Sequence, residues 1–469
     1  MLSAGTARTC ITPWWGIELT GWGYYVGRTW REIHDDLYAT AVVIEDRTRA
    51  IAIVSLDLMV VGAEFTREVR ERVAAETGIP PEHVLVACTH THNAPAAEGL
   101  LGAGETDPDY ERFAARQAAT AVILAWNSRV QVHAFAASTP LAGHTFNRTR
   151  EGGPVDTTLT TLRLDRRDGS TLAMVVNFQA HPTVWTKLRP FAVARDVPGQ
   201  VCKVLEGILP GATALYLQGA CGDVNFLRDD STPERRDQPE DYSTQLVQQM
   251  RRNPVTHITM AVQVAQMNAV ALEPVVAAAS HVASVPTRRW TREEIEPDRN
   301  EAQRRLAARD ISGWRETLGR SLTNNPEDMI ARHGGDEWKA VEAMCRFHLA
   351  WTYEMLQDFE TRPEVLPTEV QALVVGELAI VANSSELFSA FALDLRHRAG
   401  TPHLMIACYS NGRIGYMPDD HDIAAKSYAA WTSPKYCLQF PFTPRSGPEL
   451  CDGMLGALAD CRSATQRRS

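Results

Sequence analysis

Apolar positions along the chain alternate between two spacings. β-Branched runs at residues 39–44 and 51–56 flank the polar turn 45–49, which predicts a hairpin or two neighbouring strands of one sheet. Helical spacing follows over 64–77, where Phe65, Val69 and Val73 share a face and Gly78, Pro80 and Pro81 stop the helix. A buried strand is predicted at 83–87. The order repeats, with helices at 109–125 and 198–209 and strands at 159–164, 174–178 and 213–217. This alternation predicts a layered α/β fold.

Residues 288–360 have another texture, rich in Glu, Arg, Ala and Trp and poor in β-branched residues. Helical spacing at 292–309 and 335–359, broken at Asn324-Asn325-Pro326, predicts a helical insertion over 288–362 packed on the main body. Strands resume at 370–375, 379–382 and 403–407, with helices at 387–398 and 447–462. There are no internal repeats and no low-complexity tracts.

Composition narrows the class. The 469 residues are 44% hydrophobic and 22% charged, which excludes a disordered or fibrous chain. At roughly 150 residues per domain, length alone suggests three domains. A net charge of −10 argues against a general nucleic-acid binder, which needs a positive face to displace counterions. Nine cysteines without a CxxC pair read as reduced thiols. With no leader pattern at Met1–Pro13, and no apolar run near the ~20 residues of a membrane helix, the expected setting is the cytoplasm, without membrane association.

Candidate chemistry gathers at strand ends. The strand at 83–87 runs into Cys88-Thr89-His90-Thr91-His92, the strand at 174–178 into His181-Pro182, and the strand at 213–217 into Gly219-Ala220-Cys221-Gly222-Asp223. Open α/β sheets bind ligands at the carboxyl ends of their strands. On an extended segment, side chains at i and i+2 point the same way, so His90 and His92 could approach one ion or one substrate. Taken alone, each histidine reads as a hydrogen-bonded structural residue; two strand ends of the same kind shift the balance toward a site. Cys221 reads as a packed small hydrophobe. Glu386 follows the strand at 379–382, either as a carboxylate at a helix N-terminus or as another convergent group.

The order of these segments resembles the neutral/alkaline, non-lysosomal ceramidase superfamily. The resemblance rests on residues 5–23 (GTARTCITPWWGIELTGWG), THTHNAP, NFQAHPT with RDVPG, LQGACGDVN, the strand leading to Ser385-Glu386, and NGRIGYMPDD with SYA. It covers the chain apart from the helical insertion and the last few residues. It implies one Zn²⁺ held by His90, His181, Glu386 and Tyr428, although the family's Gly-Tyr-Glu is Ser427-Tyr428-Ala429 here. Two imidazoles and a carboxylate form a common catalytic zinc set that leaves a position for water and lowers its pKa to about 7. On this reading His92 holds the tetrahedral oxyanion or carries the proton to the leaving group. Asp196 and Asp223 stand behind the site and fix the tautomers of His181 and His90.

One departure bears on mechanism. Ceramidases follow the GDV motif with a serine needed for amide cleavage, where this chain has Asn225. Asn225 cannot be a nucleophile, but it can donate a hydrogen bond to an oxyanion. The chain also reads as lacking the immunoglobulin-like C-terminal domain of ceramidases, so a small soluble amide is expected in place of a membrane lipid. Trp14, Trp15, Trp22, Tyr24, Tyr25 and Trp30 either pack a loop or wall a substrate pocket, with Trp22 and Tyr24 as the pocket candidates. Arg148 and Arg413 are candidates to meet a substrate carboxylate.

Ligands spread from His90 to Tyr428 must meet at one ion, so the expectation becomes one large α/β domain over residues 1–469 with mixed sheets and a helical insertion. The function expected is zinc-dependent hydrolysis of an amide; an ester, lactone or glycosidic bond, or a non-catalytic ligand-binding homologue, are the alternatives. A small-molecule substrate is the expected partner, and the sequence leaves homo-oligomer formation open.

Overall fold

The computed structural model describes residues 1–23, 26–226, 253–318 and 326–466. Two mixed sheets lie face to face. The larger runs Thr213–Gln218, Thr171–Phe178, Thr158–Arg166, Val130–Pro140, Leu2–Cys10, Tyr38–Glu45, Ala50–Leu56, Val84–Cys88, and Val270–Ala271 pairs with Val130–Pro140. The smaller runs Val276–Pro286, Val365–Val375, Leu378–Asn383, Leu404–Ala407.

The twofold period of the strands explains the layering. In Tyr38–Glu45, Val42 and Ile44 face a core shared with Leu373, Val375, Ile380 and Met405 of the smaller sheet. Ala39, Ala41 and Val43 face the opposite way, into the core under the helices Ala63–Thr77 and Pro108–Asn127. The smaller sheet is covered on its outer face by Ser446–Gln466, through Met454 and Leu458. The result is helix, sheet, sheet, helix. One core joins both sheets, so the three domains suggested by length are not found.

Helix ends follow local chemistry. Asp107 caps Pro108–Asn127 by accepting from the amides of Asp109 and Tyr110, and Ala63–Thr77 ends where Gly78 takes φ 74° and donates to the Ala74 carbonyl. Periodicity missed the strand Leu2–Cys10, although it is central and runs antiparallel from Ser3 opposite Glu45 to Cys10 opposite Tyr38. Its small residues have a packing cause: a Cβ on Gly5 would lie 2.0 Å from the Ala125 carbonyl oxygen. The strands Val130–Pro140 and Val276–Pro286 and the helix Pro254–Gln266 were missed as well. Leu387, placed in a helix by its spacing, lies in the short strand Ser385–Leu387, and the helix begins at Ser389.

Val276–Pro286 and Val365–Val375 form an antiparallel hairpin whose open end pairs Pro286 with Val365. Between those ends lie the helices Arg292–Ala308, Trp314–Leu318, Pro326–Arg332 and Glu337–Gln357. They carry small cores of their own, one in which Met344 and Phe347 meet Tyr436 and one in which Trp290, Trp351 and Met355 meet Phe440. Asp298 adds a polar tie, accepting from Lys435 Nζ at 2.6 Å. Among the described residues no helix is long and apolar enough to cross a membrane.

Candidate metal centre

Three parallel strand pairs direct their carboxyl ends to one edge of the molecule: Ala50–Leu56 with Val84–Cys88, Thr171–Phe178 with Thr213–Gln218, and Leu378–Asn383 with Leu404–Ala407. Residues 408–411 stitch the two sheets there, as Cys408 N donates to Gln218 O, Ser410 N to Asn383 O and Asn411 N to Val86 O. His90, His181 and Glu386 leave this edge together.

Backbone carbonyls set the tautomers of the histidines. Nδ1 of His90 lies 3.0 Å from Met59 O, Nδ1 of His92 2.8 Å from Gly21 O, and Nδ1 of His181 3.0 Å from Cys221 O. A carbonyl only accepts, so each Nδ1 carries the proton and each Nε2 presents a lone pair. The lone pairs converge. His90 Nε2 is 3.1 Å from His181 Nε2 and 3.2 Å from His92 Nε2. Glu386 Oε2 lies 3.4 Å from His90 Nε2 and 3.8 Å from His181 Nε2, and it is buried with no hydrogen-bond partner. Burial pushes the His181 imidazole well below its ordinary pKa, reinforced by Arg148 and the other two rings. Burial acts the same way on His92. Burial thus favours the neutral form of His181 and His92 beside an orphaned carboxylate oxygen.

Such a donor set fits a divalent cation. Ligand atoms about 2.0–2.1 Å from a tetrahedral Zn²⁺ stand roughly 3.3 Å apart, close to the separations found here. His90, His92 and His181 form the buried metal-capable cluster among the described residues. His92 Nε2 is thus as close to His90 Nε2 as His181 Nε2 is, although of the three rings only His90 and His181 come within 4 Å of Glu386 Oε2. The sequence placed His92 only beside the metal.

The convergence has a different cause from the one the spacing suggested. His90 is not extended; its φ is 63°, a left-handed turn directly after the strand. Tyr409, itself at φ 54°, stacks on His90 with ring centroids 3.8 Å apart. Fully buried Arg28 secures the segment from below, donating to the carbonyls of Thr20, His92 and Pro190. Gly21 is obligatory on two counts: φ is 106°, and a Cβ would lie 2.5 Å from His92 Nδ1.

Several sequence assignments are corrected. Asp196 and Asp223 do not orient the histidines, because carbonyls already occupy every Nδ1. Asp196 instead accepts from the amides of Trp185 and Val197. Asp223 joins three segments by accepting from Ser389 N, Ser389 Oγ and Asn147 Nδ2. Burial pushes both carboxyls up to about 6. His92 carries its proton on Nδ1, so its Nε2 accepts and cannot hold an oxyanion in this tautomer. Asn225 bridges to His181 through the backbone and stays outside the cavity wall. Arg148 also lies outside that wall, bound to the Gly222 carbonyl and, at 2.9 Å, to the Tyr416 hydroxyl. Trp22 packs against the guanidiniums of Arg28 and Arg332 and does not line the cavity, although Gly21 and Gly23 beside it do, and Tyr24 falls outside the described residues.

The cavity over the histidines is about 60 Å³, walled by Gly21, Gly23, Arg413, Tyr416, Tyr428 and Tyr436 among others. Tyr428 and Arg413 therefore do reach it. Sequence reading missed Tyr409, Tyr416 and Arg28; the NGRIGYMP loop that carries Tyr416 was visible, but nothing in it marked that ring.

No family model matches the sequence, and no curated protein matches it significantly. Solved structures do. The crystal structure of neutral ceramidase from Pseudomonas aeruginosa superposes with a TM-score of 0.71 at 15% identity, covering 99% of this chain and 75% of that one. The chain has the neutral ceramidase fold. A ceramidase complexed with C2 matches with a TM-score of 0.70, again at 15% identity, over 99% of this chain and 75% of that one. In the neutral ceramidase fold of this chain, the motifs that carry His90, His181 and Glu386 lie at one end of the sheets, where the imidazoles converge.

Proposed function

We propose that the chain is a zinc-dependent hydrolase cleaving an amide bond of a small soluble substrate. The observation that carries this reading is the cluster of three unprotonated Nε2 atoms, two of which, from His90 and His181, approach the orphaned Glu386 Oε2. His90, His181 and Glu386 would hold the ion, with Tyr428 from the cavity wall as a further oxygen donor. A bound Zn²⁺ would supply Lewis-acid activation of water and of the carbonyl at neutral pH.

The chain's own groups do the rest. His92 Nε2 faces the same point and accepts, so it takes the proton from the attacking water and returns it to the leaving amine. Tyr416 lines the cavity, and its hydroxyl accepts from Arg148, which leaves its own proton to donate toward the developing oxyanion. The short cavity supports a compact reacting end; the ceramidase neighbours make an amide the first bond to assay, with esters alongside.

Elemental analysis of protein purified without chelator tests the reading, together with H90A and E386A. One zinc per chain and loss of hydrolysis in both variants are expected. Absence of stoichiometric zinc, with activity kept in both variants, overturns it.

A further inference from the structure

A second cavity, of about 520 Å³, adjoins the first, and Ser384 and Arg413 line both. The larger room thus lies across Arg413 from the histidines. Gly62, Ala63 and Thr66, at the N-terminus of the Ala63–Thr77 helix, form part of its wall. Gly62 is the N-cap residue and brings no capping side chain, so the positive end of a 15-residue helix meets the cavity.

An internal carboxylate sits at this place. A Cβ on Gly62 would lie 2.1 Å from Glu98 Oε2, so that oxygen packs directly against the glycine, while Oε1 accepts from Arg413 Nη2 at 3.2 Å. The remaining arginines are committed elsewhere: Arg67 to Glu64 and Glu71, and Arg70 to Glu369 through two nitrogens. Arg413 meets Glu98 through Nη2, which also donates to the Gly99 carbonyl at 3.3 Å, and the guanidinium hydrogen-bonds Cys437 as well. Its buried Nε has no partner, so a two-nitrogen grip on a carboxylate is not made.

Thr66 points to a ligand independently. It is 2% exposed, it lines the cavity, and its Oγ1 has no hydrogen-bond partner. A buried hydroxyl left unpaired costs about 1–3 kcal/mol. A carboxylate oxygen arriving at the first turn of the helix would satisfy it.

We infer that Thr66, Arg413 and the first turn of the Ala63–Thr77 helix bind a carboxylate on the substrate, and that Glu98 holds the place when substrate is absent. The inference rests on the hydrolase reading and names its substrate class: an amide carrying a carboxylate beyond the scissile bond, of the N-acyl amino acid type. The ligand replaces one carboxylate with another, so the charge balance of the cavity is kept.

Calorimetric titration of the full chain with N-acetylglycine, N-acetyl-β-alanine and N-acetyl-γ-aminobutyrate, each against its primary amide, tests this in wild type, T66V, R413Q and E98Q. At least one acid should bind about tenfold tighter than its amide, one charge-assisted bond's worth. R413Q should remove that preference, and T66V, nearly isosteric, should weaken the acid about threefold. E98Q should bind the acid more tightly, because the internal competitor has lost its charge; a purely structural Glu98 would not give that sign. Equal binding of acid and amide, no binding of any acid, or unchanged or weaker binding in E98Q overturns the inference. The acid preference together with the E98Q gain, but without turnover of any compound, upholds the pocket and sinks the hydrolase reading instead.

Discussion

Around His90, His92 and His181, each ring is oriented by a backbone carbonyl, whereas Tyr436, which lines the same cavity, packs against other rings. Phe347 meets Tyr436 with centroids 4.6 Å apart, and Tyr436 in turn lies 6.3 Å from Tyr428. Carbonyl orientation survives almost any substitution at Met59 or Cys221, because every residue type supplies the same oxygen. Packing orientation does not. The chemistry is therefore fixed by the path of the main chain, and the shape of the cavity by interchangeable side chains.

The sharpest way to break this contrast is on the carbonyl side. H90A should abolish zinc binding and lower hydrolysis by more than about 100-fold, the loss seen for mere supporting groups of metal sites, as read by elemental analysis and turnover. H92Q comes next: kcat should fall about 10²- to 10⁴-fold with zinc retained. Loss of zinc in H92Q would place His92 among the ligands, which its 3.2 Å approach to His90 Nε2 also allows.

On the packing side the effects are structural. Lys435 is 4% exposed, and D298N would remove the charge that balances it at a cost of about 2–3 kcal/mol, read by denaturant unfolding, with zinc content unchanged. Burial would raise the Asp298 carboxyl, but hydrogen bonds and charge from His348 and Lys435 outweigh it and hold it below the usual range. A depressed carboxyl adds stability that is complete above its unfolded pKa near 3.8 and is lost as pH falls below it. Below pH 4, wild type should lose melting temperature more steeply than D298N. The smallest effect is F347L, about 1 kcal/mol in stability, with KM shifted and kcat kept.

The contrast also explains what was legible in the sequence. Strands and helices with clean periods, such as Tyr38–Glu45 and Ala63–Thr77, announced themselves, and so did the motifs at their ends that carry His90, His181 and Glu386. Leu2–Cys10 did not, because a helix lying directly on Gly5 demands small residues where a strand signal needs branched ones. The partners of the imidazole Nδ1 atoms were invisible for a deeper reason. A carbonyl has no letter in the sequence, so acidic neighbours such as Asp196 and Asp223 drew the assignment to themselves. Stacking of Tyr409 on His90 depends on two left-handed residues that no pattern rule anticipates.

Pro286 and Val365 face each other at the mouth of a hairpin, and the whole helical segment hangs between them. To the sheet it is no more than a turn. Residues could be added to it, removed from it or exchanged without moving a single strand register or the path that brings His90 to His181. The imidazole centre and the helical support behind Tyr436 are therefore free to diverge at different speeds. A library confined to residues 288–362 would rework the packing behind Tyr436, while the imidazoles and the residues that line the cavity lie in the chain outside it.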